Sequence, residues 1–208
     1  MNRIPLITIG ISGPSGSGKS LFCSRLSEEL IQHKIEVIKQ DCYYKNQIHL
    51  DFEERSKLNY DHPEAFDNTL FVQHVGKLRN GIKINVPTYD FAKHLRKSST
   101  VIVKPPNVLI LEGIMLFVDD KLKKMIDIKV FMDSPLDICI CRRIQRDLLE
   151  RGRDISSIIE QYHKYTRPMY FKFIEPSKKF ADIIIPKGGA NTIALDIMKA
   201  KVKTLLVS

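Results

Sequence analysis

The segment "GPSGSGKS", Gly13–Ser20, is the strongest indication of the fold class. It matches the pattern G-x-x-x-x-G-K-[ST], follows the apolar run Ile4–Ile11, and opens a segment of helical periodicity at Lys19. A strand, a glycine-rich turn and a helix in this order form a phosphate-binding loop, since turned backbone N–H groups and a helix N-terminus attract phosphate oxygens. The alternative is a glycine-rich turn without a ligand. The predicted nucleotide-binding residues are Gly13, Ser15, Gly16, Ser17, Gly18, Lys19 and Ser20.

Lys19 and Ser20 carry the chemistry of this loop. We expect the Lys19 ammonium to contact the β- and γ-phosphates of a nucleoside triphosphate, and the Ser20 hydroxyl to bind Mg²⁺. Lys19 is therefore a predicted catalytic residue as well as a nucleotide-binding one.

Apolar runs that predict buried strands alternate with segments of helical periodicity along the chain. Strands are expected at 4–11, 36–39, 107–111, 126–132 and 180–185. Helices are expected at 19–33, 68–79, 135–152, 155–167 and 190–206. Ser134 is the predicted cap of the third helix with Pro135 at its first position, and Pro168 is expected to end the fourth. This alternation predicts an α/β fold of the P-loop NTPase type, a doubly wound parallel sheet.

Two further segments interrupt this alternation. A β-hairpin insertion is expected at about 82–103, and the stretch "YDFAKHLR" at 89–96 is its predicted tip, a loop rich in aromatic residues. A helical lid is expected at about 140–170. Residues 1–208 are expected to form one P-loop kinase domain.

Two acidic residues follow predicted strands. Glu112 closes the strand at 107–111, and Asp41 follows the strand at 36–39. Ligands of doubly wound sheets bind at the carboxyl ends of strands. We therefore expect Glu112 to hold Mg²⁺ and Asp41 to accept the proton of an attacking hydroxyl. The alternative for each residue is a helix cap or a surface acid.

The stretch "CRRIQRDLLERGRD", residues 141–154, concentrates arginines around a predicted hinge at Gly152. Hinged helices that bear guanidinium groups are typical of a closing lid that neutralises charge on a transferring phosphoryl group. The alternative is a solvated face of ion pairs, since Asp147 and Arg151 are four residues apart. The five arginines are Arg142, Arg143, Arg146, Arg151 and Arg153.

Composition narrows the class of protein. The chain has 208 residues, 27% of them charged, and a net charge of +9, which suits nucleic acid or a small polyanion. The alternative is a lysine-rich solvated surface. The apolar runs are shorter than the roughly 18 residues that a membrane span requires. The N-terminus is expected to form a strand rather than a signal peptide, and four cysteines without disulfide or zinc spacing favour a reducing, cytoplasmic location.

The chain resembles the uridine–cytidine kinase family from about Ile7 to Ile197. The resemblance rests on ordered stretches, of which the combination of "YDF…H.R" with "ERGRD" is the most specific. The stretches are "GPSGSGKS", "QDCYYK" (40–45), "NYDHPEAFD" (59–67), "PTYDFAKHLR" (87–96), "LEGI" (111–114), "ERGRD" (150–154), "QYHKYTRPM" (161–169) and "EPSKKFADIIIP" (175–186).

The resemblance implies transfer of a phosphoryl group from ATP or GTP, with Mg²⁺, to the 5′-hydroxyl of uridine or cytidine. Asp41 matches the family's catalytic base, and Arg146 and Arg151 match lid arginines that contact donor phosphates. Asp61, Arg143 and Gln161 match the residues that hold the ribose. The residues that match those around the base are Tyr44, Tyr60, Tyr89, Phe91, His94 and Arg153.

The resemblance also assigns a role to the hairpin tip. A pyrimidine has a flat face for aromatic packing, and the Tyr89 hydroxyl and the His94 imidazole can each donate or accept at its polar edge. His94 taken alone would be expected to be a solvent-exposed loop residue. The departures from the family are small: Cys42, Tyr43 and Tyr60 stand where relatives often carry other residues, and none removes a required chemical group.

Two alternatives remain at this point. A related P-loop kinase for phosphoribulose or pantothenate would leave "YDFAKHLR" without a role. A basic, nucleotide-dependent RNA-binding protein is compatible with the net charge, but the sequence has no RNP-type aromatic motif or basic appendage. The expected partners are a nucleoside and no nucleic acid or membrane, and the family implies a homotetramer with feedback inhibition by CTP or UTP.

Overall fold

The apolar run before the phosphate loop forms the central strand of a five-stranded parallel sheet. The computed structural model describes residues 6–207, so Ile4 and Pro5 of the predicted first strand lie outside it. The sheet order is β2-β5-β1-β6-β7, and β3 pairs with β4 in a separate antiparallel hairpin. The strands are β1 (Ile7–Ser12), β2 (Ile35–Lys39), β3 (Ile84–Asp90), β4 (Leu95–Val103), β5 (Val108–Glu112), β6 (Ile128–Asp133) and β7 (Ile183–Pro186).

Helices connect these strands, and several helices follow one another in and after the arginine-rich segment. The helices are α1 (Lys19–Glu29), α2 (Phe52–Ser56), α3 (Asn68–Arg79), α4 (Asp120–Lys124), α5 (Leu136–Arg151), α6 (Ile155–Gln161), α7 (Arg167–Met169), α8 (Glu175–Ser177) and α9 (Thr192–Val207). Two π-helical segments, Tyr162–Thr166 and Tyr170–Ile174, join α6, α7 and α8 into one continuous helical stretch. No helix of residues 6–207 is long and apolar enough to cross a membrane.

The sheet separates two apolar cores. Ile9 and Ile11 of β1 pack with Phe22 of α1 on one face, whereas Leu109 of β5 packs with Phe71 of α3 on the other. Successive side chains of a strand point to opposite faces, so a strand buried on both sides is apolar throughout. The prediction of a doubly wound parallel sheet is confirmed.

The predicted loop at 89–96 is half strand and half turn. Tyr89 pairs with Arg96 and Asp90 with Leu95, so only residues 91–94 form the turn. Tyr89 is buried in the same core as α3, which keeps the end of the hairpin packed against the domain. The stretch does form the end of the hairpin as expected, but the loop is shorter than expected, because residues 89, 90, 95 and 96 pair as strands.

Two predicted helix signals were also wrong. Pro135 precedes α5 rather than opening it, and Ser134 does not cap the helix, because its hydroxyl donates to the carbonyl of Ser17 at 3.0 Å. Pro168 does not end the helical stretch. It lies in α7 between the two π-helical segments, whose wider turns accommodate a residue without an N–H.

Other boundaries differ by a few residues. Helix α1 ends at Glu29 instead of about His33, and β7 begins at Ile183 because Phe180 belongs to a short 3₁₀ turn. Asp67 caps α3, and its carboxylate accepts from the Leu70 N–H at 3.1 Å. The cysteines Cys23, Cys42, Cys139 and Cys141 are all free.

Candidate active site

The phosphate loop Gly13–Ser20 turns sharply between β1 and α1. Gly18 has φ 91°, and a Cβ there would lie 2.5 Å from the backbone nitrogen of Gly189. Only glycine meets both demands without strain. The loop therefore keeps a tight backbone against the turn before α9, with its N–H groups at the carboxyl end of the sheet.

Lys19 folds back over the loop. Its ammonium donates to the carbonyl oxygens of Gly13 at 3.0 Å and Pro14 at 2.8 Å, and its side chain is buried. Burial lowers the pKa of this ammonium, and the nearby carboxylates Glu112 and Asp41 only partly offset the effect. A positive group held among carbonyl oxygens and carboxylates is suited to an anionic phosphate.

Ser20 and Glu112 form an oxygen-rich pair beside the loop. The Ser20 hydroxyl donates to Oε1 of Glu112 at 2.5 Å, while Oε2 is buried without a hydrogen-bond partner among the described residues. A hard cation such as Mg²⁺ prefers oxygen ligands and is usually held by one or two carboxylates together with substrate phosphates. The unpaired Oε2 fits such an ion. Within residues 6–207, no group of three or more His, Cys, Asp or Glu forms a metal site by itself.

Asp41 lies in a 3₁₀ turn, Gln40–Tyr43, directly after β2. Its neighbours anchor this turn: Oε1 of Gln40 accepts from the Met115 N–H at 2.9 Å, and the Tyr43 hydroxyl contacts Nδ1 of His74 at 2.9 Å. Asp41 lines the groove along the phosphate loop and also an adjoining deeper pocket. Its carboxylate thus stands where the two spaces meet.

The adjoining pocket is lined by all the residues that the sequence predicted to bind the phosphoryl acceptor. They come from the turn after β2, the segment before α3, the hairpin and the α5–α6 helices. These residues are Tyr44, Tyr60, Asp61, Tyr89, Phe91, His94, Arg143, Arg153 and Gln161. Ser15, Arg146 and Arg151 also line it.

Three lining residues were not predicted: Leu58, Ile114 and Tyr165. Ile114 and Tyr165 lie inside quoted stretches, but an aliphatic residue and a helical tyrosine carry no signal that separates them from core. The Tyr165 hydroxyl donates to the Lys57 carbonyl at 2.8 Å, which ties the long helical stretch to the segment beside α2.

Aromatic rings form one wall of the pocket. The ring of His94 stacks on Tyr60 with centroids 4.8 Å apart, Tyr44 meets Tyr60 edge-on at 5.3 Å, and Phe91 meets Tyr89 edge-on at 5.3 Å. Burial raises the pKa of both the Tyr60 and the Tyr89 hydroxyl, and neither hydroxyl has a hydrogen-bond partner of good geometry among the described residues. Buried polar atoms normally have partners, so a bound polar edge would satisfy them.

His94 is buried, with 6% of its surface exposed, and its backbone is left-handed at φ 53°. The alternative of a solvent-exposed loop residue is wrong. Burial lowers the pKa of His94 to about 4, and the positive charges of Arg153 and Arg151 add to this effect. Its Nε2 lies 3.5 Å from Nη2 of Arg153. Because a guanidinium only donates, Nε2 is the acceptor and the neutral ring carries its proton on Nδ1.

This low pKa predicts a pH-dependent stability. In the unfolded chain a histidine titrates near about 6.5, so between that pH and about 4 the unfolded state binds a proton that the folded state does not. The stabilisation from neutral His94 is therefore present above about pH 6.5 and is lost as the pH falls toward 4. We expect the difference in unfolding free energy between the natural protein and His94→Asn to shift in this window, measured by urea denaturation. A difference independent of pH would contradict the prediction.

Asp61 and Arg143 form the polar floor of the pocket. Oδ2 of Asp61 accepts from the Thr166 hydroxyl at 2.8 Å, and Oδ1 lies 3.7 Å from Nη1 of Arg143. All three residues are buried. Asp61 keeps oxygens directed at a pocket whose other polar groups are mainly donors, which suits the hydroxyl groups of a small ligand. Thr166 was not predicted as a site residue, although it lies within the quoted stretch at 161–169.

Four of the five arginines surround one carboxylate. Arg143, Arg146, Arg151 and Arg153 all form ion pairs with Asp147, whose side chain is completely buried. The alternative of a solvated ion-paired face is therefore wrong for these four. Arg142 is exposed and points instead to the phosphate loop, 3.4 Å from the Gly16 carbonyl.

Arg96 connects the hairpin to the turn that carries Asp41. Its Nε donates to the Tyr44 carbonyl at 2.7 Å, and its Nη2 donates to the Tyr43 carbonyl at 3.1 Å. The sequence did not identify Arg96 as a site residue, although it ends the quoted hairpin stretch. Its two carbonyl contacts hold the segment next to Asp41 in a fixed position.

Replacing Arg96 by Lys should lower kcat about 10-fold with a smaller change in KM, because an ammonium cannot bridge both carbonyls as the guanidinium fork does. A coupled kinase assay measures both constants, and Arg25→Lys in α1 serves as the matched control. Unchanged kcat in Arg96→Lys would mean that the turn is rigid without this residue.

A family model places the chain among known enzymes. The model of the "Phosphoribulokinase / Uridine kinase family" matches residues 8–194. The chain belongs to this family. It is therefore a kinase, and its P-loop groove and adjoining pocket form the candidate active site of a phosphoribulokinase/uridine kinase family member.

Individual relatives agree with the family match. The chain is 52% identical over 198 residues to a uridine kinase of Proteus mirabilis, covering 93% of each chain. It is 51% identical over 200 residues to the uridine kinase of Escherichia coli K12, covering 94% of each. The fold resembles that of phosphoribulokinase from Rhodobacter spheroides, with a TM-score of 0.65 and 15% identity, covering 91% of this chain and 74% of that one. The resemblance inferred from the sequence motifs is confirmed.

Proposed function

We propose that this protein transfers the γ-phosphate of ATP to the 5′-hydroxyl of uridine, and of cytidine, to give UMP or CMP. The observation that carries the proposal is the pocket beside Asp41, where aromatic rings and a neutral His94 line one side and Asp61 with Arg143 lines another. A flat base with polar edges fits the first side and a ribose fits the second. The family relatives named uridine kinase support the same substrate.

The proposed chemistry assigns one role to each charged group. The Asp41 carboxylate accepts the proton of the 5′-hydroxyl, the oxygen forms a bond to the γ-phosphorus, and the bond between that phosphorus and the β–γ bridging oxygen breaks. Lys19, Arg146 and Arg151 neutralise the charge that gathers on the transferring group and on the departing ADP. Ser20 and Glu112 would hold Mg²⁺, which adds charge neutralisation at the β- and γ-phosphates.

A coupled phosphotransfer assay tests the proposal. Uridine, cytidine, adenosine and pantothenate are each offered with ATP and with GTP, in the presence of Mg²⁺. We expect turnover with uridine and cytidine. Turnover restricted to adenosine or pantothenate, or RNA binding without any nucleoside turnover, would overturn the proposal, and the two donor arms identify the preferred triphosphate.

Base recognition by the hairpin gives a further prediction. His94→Ala should raise the KM for uridine about 20-fold and change the KM for ATP much less, because a buried hydrogen-bonding partner of the base is lost. His49→Ala, an exposed histidine outside the pocket, is the matched control. Equal loss for both substrates would mean that the hairpin tip is scaffolding.

The whole chain acts as one kinase domain in the cytoplasm, and residues of about 140–170 act as its lid. Four copies form a homotetramer. These features follow from the resemblance to uridine–cytidine kinases and from the unpaired cysteines. Size-exclusion chromatography with light scattering tests the tetramer.

A further inference from the structure

Asp147 lies at the centre of the arginine cluster, and its two carboxylate oxygens face different arginines. Oδ1 pairs with Arg146 at 2.7 Å and with Arg151 at 3.5 Å. Oδ2 pairs with Arg153 at 3.2 Å and with Arg143 at 3.7 Å. One buried carboxylate therefore divides four guanidinium groups into two pairs.

The two pairs belong to different parts of the site. Arg146 and Arg151 line both the phosphate-loop groove and the adjoining pocket. Arg143 and Arg153 line only the adjoining pocket, where Arg143 approaches Asp61 and Arg153 donates to Oε1 of Gln161 at 3.0 Å. Oδ1 thus pairs with the two arginines that reach the phosphate-loop groove, and Oδ2 pairs with the two that line only the adjoining pocket.

We propose that Asp147 is a positioning residue that couples binding at the donor subsite to binding at the acceptor subsite. The inference rests on the proposed function, since it takes ATP as donor and uridine as acceptor. Asp147 touches neither substrate in this scheme, because it acts through the arginines that it orients.

The charges explain why the coupling is favourable. Four guanidinium groups share the Asp147 carboxylate, and of these four only Arg143 also pairs with Asp61, so the positive charges outnumber the negative ones and repel one another in a largely buried region. Burial lowers the pKa of Arg151, and the charge of Arg146 lowers it further. Donor phosphates that pair with Arg146 and Arg151 would relieve this repulsion. The carboxylate would then be left to Arg143 and Arg153, which hold the acceptor more firmly.

The backbone carbonyl of Asp147, separately from its carboxylate, also holds the hinge. The N–H groups of Gly152 and Arg153 both donate to the carbonyl of Asp147, and Gly152 is left-handed at φ 63°. The residue that gathers the arginines therefore also fixes the turn that carries Arg151 and Arg153. A change at Asp147 is expected to affect both subsites together.

Calorimetry on the full-length protein tests this proposal. The dissociation constant of uridine is measured alone and with saturating Mg²⁺ and β,γ-methylene-ATP, a donor that cannot transfer its phosphate. We expect the donor analogue to tighten uridine binding about 10-fold, and uridine to tighten analogue binding by the same factor. In Asp147→Asn, the ratio of the uridine dissociation constants without and with the donor analogue should fall to about one, because an amide cannot accept from both arginine pairs.

Controls separate coupling from folding. Asp137→Asn, at an exposed position of the same helix, should still show the full tightening of uridine binding by the donor analogue. If Asp147→Asn does not fold, as judged by its thermal melt, Arg153→Lys takes its place. That variant weakens only the ion pair between Arg153 and Oδ2 of Asp147. If Asp147 couples the two subsites, uridine should no longer tighten the binding of the donor analogue to this variant.

The possible failures are distinguishable. Two results would overturn the coupling role. In the first, the dissociation constant of uridine from the natural protein does not change when the donor analogue is added. In the second, Asp147→Asn shows the same change in this constant as the natural protein. A natural protein that does not bind uridine at all would instead overturn the proposed function.

Discussion

Replacing Asp41 by Asn should lower kcat by about 100- to 10,000-fold while the KM values for ATP and uridine change only a few-fold. The amide keeps the shape of the side chain but cannot accept the proton of the 5′-hydroxyl. The turn around Asp41 is held by Gln40 and Tyr43 through buried contacts that the substitution does not touch. The loss should therefore be chemical rather than structural.

Steady-state kinetics with the coupled assay measure this loss, and calorimetry measures the affinity for uridine and ATP in the same variant. Asp196→Asn, an exposed acid on α9, is the control for removing one negative charge far from the site. Near-normal turnover in Asp41→Asn would remove Asp41 from the proton transfer and leave the positioning of the hydroxyl as the main source of rate.

The sheet and the phosphate loop could be predicted because their sequence signals are local. The strands β1 and β5 are buried at every position and mostly apolar, because both of their faces are covered. The glycine spacing of the loop is in turn typical of phosphate binding. The order of the strands in the sheet was not predictable in detail, because pairing between strands distant in sequence leaves no local mark.

The hairpin and the long helical stretch show where local signals mislead. The stretch at 89–96 has the polarity of a loop, yet its ends pair as strands because tertiary packing buries Tyr89. Pro168 normally ends a helix, but the π-helical turns on either side admit it. Thr166, at the end of the first π-helical segment, donates to Asp61, a partner so distant in sequence that local spacing does not reveal the contact.

The candidate site residues could be predicted from the sequence only through motifs. The residues that hold them in place could not be predicted. Arg96 and Asp147 contact other protein groups rather than the pocket itself, so no ligand chemistry singles them out. Asp147 in particular has the spacing of an ordinary surface ion pair with Arg151. Its complete burial beneath four arginines depends on how α5 packs against the rest of the chain.

Replacing Glu112 by Gln should raise the Mg²⁺ concentration needed for half-maximal activity and lower activity about 100-fold at limiting Mg²⁺. The amide oxygen can still accept from the Ser20 hydroxyl, so that contact is retained. What is lost is the negative charge, together with the unpaired Oε2 that suits a hard cation. The defect should therefore shrink as Mg²⁺ is raised, unlike the defect of Asp41→Asn, which no Mg²⁺ concentration should repair.

Activity measured against Mg²⁺ at fixed ATP and uridine distinguishes the two kinds of defect. Glu160→Gln, an exposed position on α6, controls for the loss of one carboxylate near the site. An Mg²⁺ dependence in Glu112→Gln equal to that of the natural protein would mean that Glu112 only orients Ser20. In that event the cation would be held by Ser20 and the triphosphate alone, and the buried Oε2 would need another partner.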